Sequence, residues 1–303
     1  VLLVAAVVVL APSLSGTDVG AGPAARPEFS LAGKSVYFVF VDRFARSEDR
    51  ADDDKECVGA ASWCGGTLRG LIRKLDYIHG MGFDCVWITP VVQQPTDVHC
   101  TPSDSGADYC GVGYHGYWMQ DIFSIDARFG TSADLLALSR ALKARGMALV
   151  LDVVLNHVRP IGSMADLAMV HPFNQPEHYH TYGATPAEPF ASYLKHPVGC
   201  WPPPGCPIAG YTCGAYDERK ITEGWFYDLA DLNQSHPFVS SELQRWGRHM
   251  VEAYEIDAIR LDTAPYMERS FLKAFRRAAG VEIYGEITAG NTTFLEGFLR
   301  DPD

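Results

Sequence analysis

Short, almost unbroken apolar runs alternate along this chain with segments of helical periodicity, and that rhythm leaves few folds open. "SVYFVFVDRF" (35–44), "FDCVWITP" (83–90), "ALVLDVVLNH" (148–157), the core of "YEIDAIRLDTA" (254–264) and "VEIYGEI" (281–287) read as buried strands. Between them, "TLRGLIRKLDYIHGMG" (67–82), "TSADLLALSRALKARGM" (131–147), "PFVSSELQRWGRHMVEAY" (237–254) and "MERSFLKAFRRAAG" (267–280) read as helices. The second of these opens with Thr131 or Ser132 as N-cap and closes near Gly146. "TTFLEGFLR" starts one more helix. Buried strands alternating with helices predict a parallel α/β sheet.

A (β/α)8 TIM-type barrel and a doubly wound sheet both satisfy this rhythm. No G-x-G-x-x-G follows any strand, which weighs against a dinucleotide-binding fold. Polar residues gather instead where strands end: Asp42 and Arg43, Asn156 and His157, Arg260 and Asp262, and Glu286. Barrel enzymes place active-site groups at that end. The expected fold is therefore the barrel, with about the first five βα units present. The stretch 158–235 is rich in Pro, His, Gly and Tyr and has no strong period. It is too long for a loop inside a compact domain and reads as a domain inserted after the third strand. It separates a first barrel part, 30–157, from a second, 236–303.

The 303 residues are 47% hydrophobic and 20% charged, enough for a large core. A net charge of −12 argues against a nucleic-acid partner, and basic clusters are too few for an anionic membrane surface. No stable membrane association is expected, and the protein is expected to be a monomer. The opening "VLLVAAVVVLAPSLSG" is too short to span a bilayer, which takes about 20 residues. It matches the core of a secretory signal, and 1–25 is read as signal and linker whose start is missing; a buried N-terminal strand is the other reading. Eight cysteines then fit a secreted, extracellular protein. Local pairs Cys57–Cys64 and Cys100–Cys110 are expected, with Cys85 a buried free thiol and one of Cys200, Cys206 and Cys213 left over. No zinc-finger spacing occurs.

Arg260 and Asp262 stand two residues apart in an apolar strand, so both point to one face. A buried charge is costly unless paired or functional. The cation would hold Asp262 ionised; taken alone, the two could be a plain buried ion pair. Glu286, at the end of the next strand, would converge on them. Two carboxylates with unequal surroundings suit glycoside hydrolysis, with Asp262 as nucleophile and the less compensated Glu286 as general acid, then base. His157 could donate to a substrate hydroxyl or be a satisfied core histidine. Asn156 offers a neutral oxygen to a hard cation or simply marks a turn. "YHGYWMQD" (114–121) sets three aromatics and a histidine in eight residues, a sugar platform or ordinary loop packing.

Together these motifs resemble the α-amylase family of retaining glycoside hydrolases, most closely its secreted fungal type. The resemblance runs in order from about residue 35 to 290 through "SVYFVFVDRFAR", "CGGTLRGLIRKLDYIHGMGFDCVWITPV", "YHGYWMQDIFSID", "ALVLDVVLNH", "LADLN", "IDAIRLDTA" and "VEIYGEI". It implies a calcium-dependent hydrolase of α-1,4-glucans such as starch or glycogen. Asp262 would be nucleophile, Glu286 acid/base, and Arg260 the group that orients Asp262. His157, His115, Tyr117 and Trp118 would line the sugar subsite beside the cleaved bond. Asn156 and Asp231 would bind a structural Ca²⁺ that clamps the 158–235 insertion, the family's domain B, to the barrel; Asp231 alone could be a cap before a helix. Oxygen donors fit calcium better than a soft metal.

Two departures stand out. The family carries Lys and His three and four residues beyond the nucleophile, where this chain has Pro265 and Tyr266. The Tyr266 carbonyl could still complete a calcium shell, but a glucanotransferase or α-glucosidase stays open. The family's third carboxylate, an Asp from a His-Asp pair near the seventh strand, has no counterpart after Glu286. The chain is expected to be a fragment with an incomplete site, unstable or inactive alone because an open barrel exposes strand edges. A non-catalytic barrel that binds glycans or protein is the reading from another class.

Overall fold

The computed structural model describes residues 29–47, 57, 59, 62–101, 109–180, 218–225, 229–287 and 292–299. The expected signal segment, Cys200, Cys206, Cys213 and the middle of the 158–235 insertion lie outside these residues.

Five strands form one parallel sheet: β1 (Val36–Val39), β2 (Cys85–Ile88), β3 (Ala148–Val153), β4 (Ala258–Leu261) and β5 (Glu282–Gly285). Their order in the sheet follows their order in the chain. A doubly wound sheet reverses its strand order at a switch point, and none occurs in these five. The helices that alternate with these strands are α1 (Leu68–Arg73), α2 (Leu75–Gly80), α3 (Ser132–Lys143), α4 (Pro237–Tyr254), α5 (Arg269–Ala279) and α6 (Thr292–Leu299). Thr131 is the N-cap of α3: its hydroxyl accepts from Asp134 N–H, and the Asp134 carboxylate accepts from Thr131 N–H.

Several boundaries differ from the sequence reading, for local reasons. The run 35–44 stops as strand at Val39, and Val41–Phe44 is a helical turn. Beyond Val39 the Thr89 hydroxyl, not a ladder carbonyl, accepts the Val41 N–H at 3.3 Å. The run 67–82 is two helices broken at Lys74, where N–H turns to the Leu71 carbonyl at 2.9 Å. The apolar stripe survives, because Leu68, Leu71, Leu75 and Ile78 are all buried. The run 148–157 leaves the sheet after Val153. His157–Pro160 instead pairs antiparallel with Leu229–Asp231. Gln234 Nε2 takes the Leu155 carbonyl at 3.0 Å, and Leu232 N–H takes that of Asn156 at 2.8 Å, so the departing backbone stays satisfied.

Strand alternation divides the core into two faces. Val86, Ile88, Leu149, Leu151, Val153 and Ile259 pack outward against helix residues such as Leu71, Leu138, Leu243 and Phe275. Cys85, Trp87, Ala148, Val150, Ala258 and Tyr284 pack together on the other face. Two steps further along, that second face carries Asp152 and Arg260. Both local disulfides are formed, Cys57–Cys64 and Cys100–Cys110, the latter across the antiparallel ribbon of His99–Thr101 with Tyr109–Gly111. Cys85 is a buried free thiol, and burial pushes its pKa up to about 12.

Gly247 sits in the middle of α4, where glycine costs about 1 kcal/mol relative to alanine. A Cβ there would lie 2.5 Å from the ring of the fully buried Phe275. The α4–α5 contact therefore depends on the missing methyl. Gly247→Ala, a change that favours helix, is expected instead to destabilise by about 1–3 kcal/mol through overpacking. Urea unfolding checks the sign.

Candidate active site

Register sets Arg260 on β4 opposite Asp152 on β3 and Tyr284 on β5. The guanidinium is 5% exposed and surrounded by carboxylates. Its Nη1 donates to Asp152 Oδ1 and to Asp262 Oδ1, each at 2.8 Å. Its Nη2 lies 2.8 Å from Glu286 Oε2. The planar fork of arginine is the side chain that can hold three such partners at once. Asp152 Oδ2 accepts in addition from Trp87 Nε1 at 2.9 Å and from the Tyr117 hydroxyl at 2.8 Å.

Asp262 and Glu286 stand just past their strands, yet both are fixed by backbone bonds to the neighbouring strand. Asp262 N–H donates to Val153 O at 2.9 Å, and Glu286 N–H to Leu261 O at 2.8 Å. Between them Thr263 adopts a left-handed conformation, φ 47°. A β-branched residue rarely takes it, and such strain gathers at functional sites. The turn aims Thr263 N–H at Glu286 Oε2, 3.2 Å away, and Thr263 Oγ1 at Asp262 Oδ2, 3.3 Å away.

The two carboxylates are pushed apart in acidity. Burial would raise Asp262, but the His157 ring at 3.7 Å and the Arg260 charge hold it down to about 2. Burial, then the Asp262 charge, raises Glu286 above its ordinary value, and Arg260 only partly offsets this. Glu286 is not raised for want of a cation, as its sequence position suggests: Arg260 contacts it directly, and burial decides the outcome. Asp152 is pushed up to about 7 by burial against the pull of Arg260.

The aromatic loop closes over the same face. His115 Nδ1 accepts from Tyr117 N–H at 3.0 Å. Burial and the His157 charge push the imidazole down to about 4, so the neutral ring keeps its proton on Nε2 as a donor. Its ring meets Trp118 edge-on at 4.9 Å and stacks with Tyr117 at 5.7 Å. Gly116 makes the bend: φ is +88°, and a Cβ would lie 2.2 Å from the Pro90 carbonyl oxygen.

Asn156 and Asp231 form a second polar cluster. Both are almost fully buried. Asn156 Oδ1 and Asp231 Oδ1 are buried oxygens without a hydrogen-bond partner, which is costly. Asp231 Oδ2 is held by His180 Nδ1 at 2.5 Å, and burial pushes Asp231 up to about 6. Two orphaned oxygens of hard-donor type fit a cation such as Ca²⁺. Among the described residues no group of three His, Cys, Asp or Glu is placed to hold a metal. Tyr266 is buried on the single turn Ala264–Tyr266 that follows β4.

The structure thus joins Arg260, Asp262, Glu286, His157 and Tyr117 into one cluster, with His115 and Trp118 beside it. Sequence reasoning missed Asp152 and Trp87. Asp152 carried a readable signal, the same anomaly as Arg260: a charge inside the apolar run "ALVLDVV".

The family model for the alpha-amylase catalytic domain matches residues 38–274. The chain belongs to this family. The match contains Asp152, His157, Arg260 and Asp262; Glu286 lies just beyond it. Among relatives, Alpha-amylase 2 of Schwanniomyces occidentalis is 35% identical over 93% of this chain and 48% of its own length. Alpha-amylase 1 of Lipomyces kononenkoae is 33% identical over 89% of this chain and 39% of its own. The solved alpha-amylase of Malbranchea cinnamomea superposes with a TM-score of 0.66 at 36% identity, over 86% of this chain and 48% of that one. The chain spans about half the length of these α-amylases or less.

Asp152 is the partner that Arg260 meets inside the sheet. Removing one side of a buried ion pair costs about 3–5 kcal/mol. Because Arg260 keeps Asp262 and Glu286, Asp152→Ala is expected to lose stability toward the lower end of that range in urea unfolding.

Proposed function

We propose that the protein is an α-amylase, an endo-acting, retaining hydrolase of α-1,4-glucosidic bonds in starch or glycogen. One observation carries the reading: a single buried guanidinium bridges two strand-end carboxylates whose acidities are driven in opposite directions. Asp262, ionised, attacks the anomeric carbon while Glu286 gives its proton to the departing glycosidic oxygen. Glu286 then takes a proton from water as water displaces Asp262, so the configuration is retained. Arg260 holds both oxygens in place and keeps Asp262 anionic. His157, and the neutral His115 with Tyr117 and Trp118, bind the sugar beside the cleaved bond. The Schwanniomyces and Lipomyces relatives, named α-amylases, support this substrate class.

The architecture behind the site is proposed to be the family's (β/α)8 barrel, with 158–235 as domain B. Asn156 and Asp231, with the Tyr266 carbonyl, would hold Ca²⁺; when bound, the ion supplies a rigid link between insertion and barrel. The two disulfides support an oxidising, extracellular setting. No helix among the described residues is long and apolar enough to cross a membrane. The protein is proposed to act as a monomer. Pro265 and Tyr266, on the turn after the nucleophile, keep glucan transfer as a second reading. The ratio of transfer to hydrolysis products from maltoheptaose decides between them.

Asp262→Ala is expected to lower kcat on starch by several orders of magnitude; a glycan-binding barrel without catalysis would be indifferent. Asp262 must be ionised and Glu286 protonated. The pH profile of kcat/KM should therefore fall on the acid side only toward pH 2, and on the alkaline side above the ordinary glutamate range. An alkaline limb at or below that range would exclude Glu286 as the acid.

A ligand that binds only the folded state raises apparent stability. Added EGTA is expected to lower the thermal midpoint, and excess Ca²⁺ to restore it. An unchanged midpoint would remove Asn156 and Asp231 as ligands.

A further inference from the structure

One arginine that the catalytic reading leaves unused ties a disulfide-closed segment to the aromatic loop. The Arg43 guanidinium lies over the Tyr114 ring, 3.6 Å from its centre. Its Nη1 donates to Gly59 O at 2.9 Å and lies 3.5 Å from Cys57 Sγ, and its Nη2 donates to Ser62 O at 2.8 Å. Its Nε pairs with Asp42 Oδ2 at 2.9 Å. The buried Asp42 in turn accepts from the backbone N–H of Cys64 at 2.8 Å and of Gly65 at 3.0 Å. Cys57 is bonded to Cys64. The Asp42–Arg43 pair therefore grips both ends of the disulfide-closed segment, while the flat face of Arg43 rests on Tyr114. Tyr114 immediately precedes His115, with ring centres 5.2 Å apart.

We propose that Arg43 is a positioning residue for glucan binding, coupling the Cys57–Cys64 segment to Tyr114 and so setting His115, Tyr117 and Trp118 against the sugar. The inference rests on the α-amylase reading of that loop. The geometry asks for arginine in particular. A planar guanidinium can stack on a ring and donate from its edge at the same time, which a lysine ammonium cannot. Arg43 and Tyr114 are both partly exposed, outside the apolar core, so the link can be cut without opening that core. Arg43 touches neither Asp262 nor Glu286 in any contact given above, so cutting the link should weaken binding more than it slows bond cleavage.

The test is a double-mutant cycle in the purified full-length protein, with maltoheptaose as probe. Arg43→Lys, the double variant Cys57→Ser/Cys64→Ser, and their combination are compared in Kd, KM, kcat and thermal midpoint. A lysine can keep the ring contact or the carbonyl bonds but not both, which predicts Arg43→Lys to raise Kd and KM roughly 3- to 30-fold. The kcat should stay within about 2-fold, since that contact is made away from the reacting atoms. The cysteine variant should weaken binding in the same direction. The combination should be no worse than the larger single effect, because both act through one link. A lowered midpoint with unchanged Kd and KM would make Arg43 a fold residue only and overturn the proposal. Fully multiplicative effects would overturn the coupling. A wild-type protein that neither binds nor cleaves maltoheptaose would overturn the α-amylase reading itself, a result distinct from both.

Discussion

A single positive charge inside an apolar sheet governs the arrangement of this molecule. Arg260 is almost fully buried and cannot shed its proton, so it must be surrounded by acceptors. Asp152 supplies them from one neighbouring strand, Glu286 from beyond the other, and Asp262 from its own. Three carboxylates around one guanidinium cannot be equivalent. The one also faced by an imidazole stays anionic, while burial raises the other two against the pull of the same cation. The division of acid from nucleophile proposed above would follow from where each oxygen sits relative to one cation.

The same charge explains why the polar floor is narrow. Below Asp152 and Arg260 that face of the sheet is apolar, carrying Val150, Ala258 and Trp87, with Tyr284 level with Arg260 on β5. Trp87 belongs to both layers, because its ring packs with the apolar group while its indole N–H serves Asp152. Tyr117 does the same from the loop side, with its hydroxyl on Asp152 and its ring beside His115. A molecule lying on that loop would therefore press on a tyrosine bonded to the carboxylate that Arg260 meets inside the sheet.

Much of this was legible in the sequence. The strand and helix alternation, the span of α4, the cap of α3 and the convergence of Arg260, Asp262 and Glu286 all follow from periodicity, capping chemistry and the two-residue repeat of a strand. The illegible parts have physical causes. An apolar run does not say where pairing stops, so "ALVLDVVLNH" looked like one strand although Val154 and Leu155 are buried outside the sheet. Asp152 lies one residue before its strand ends, and its partner is set by register against a strand more than a hundred residues away. The degree to which Arg260 compensates Glu286 depends on a side-chain conformation across two strands, which no local pattern encodes.

Because the five strands are neighbours in the same order as they are made, the sheet suits synthesis from one end. When β4 leaves the ribosome, β3 and its Asp152 are already available. Arg260 therefore meets an anion as soon as it is drawn into the sheet, and no intermediate needs to bury it unpaired. Glu286, the proposed proton donor, is the last of the three carboxylates to be made. The guanidinium is already committed to two carboxylates by then, and the newcomer takes the remaining nitrogen.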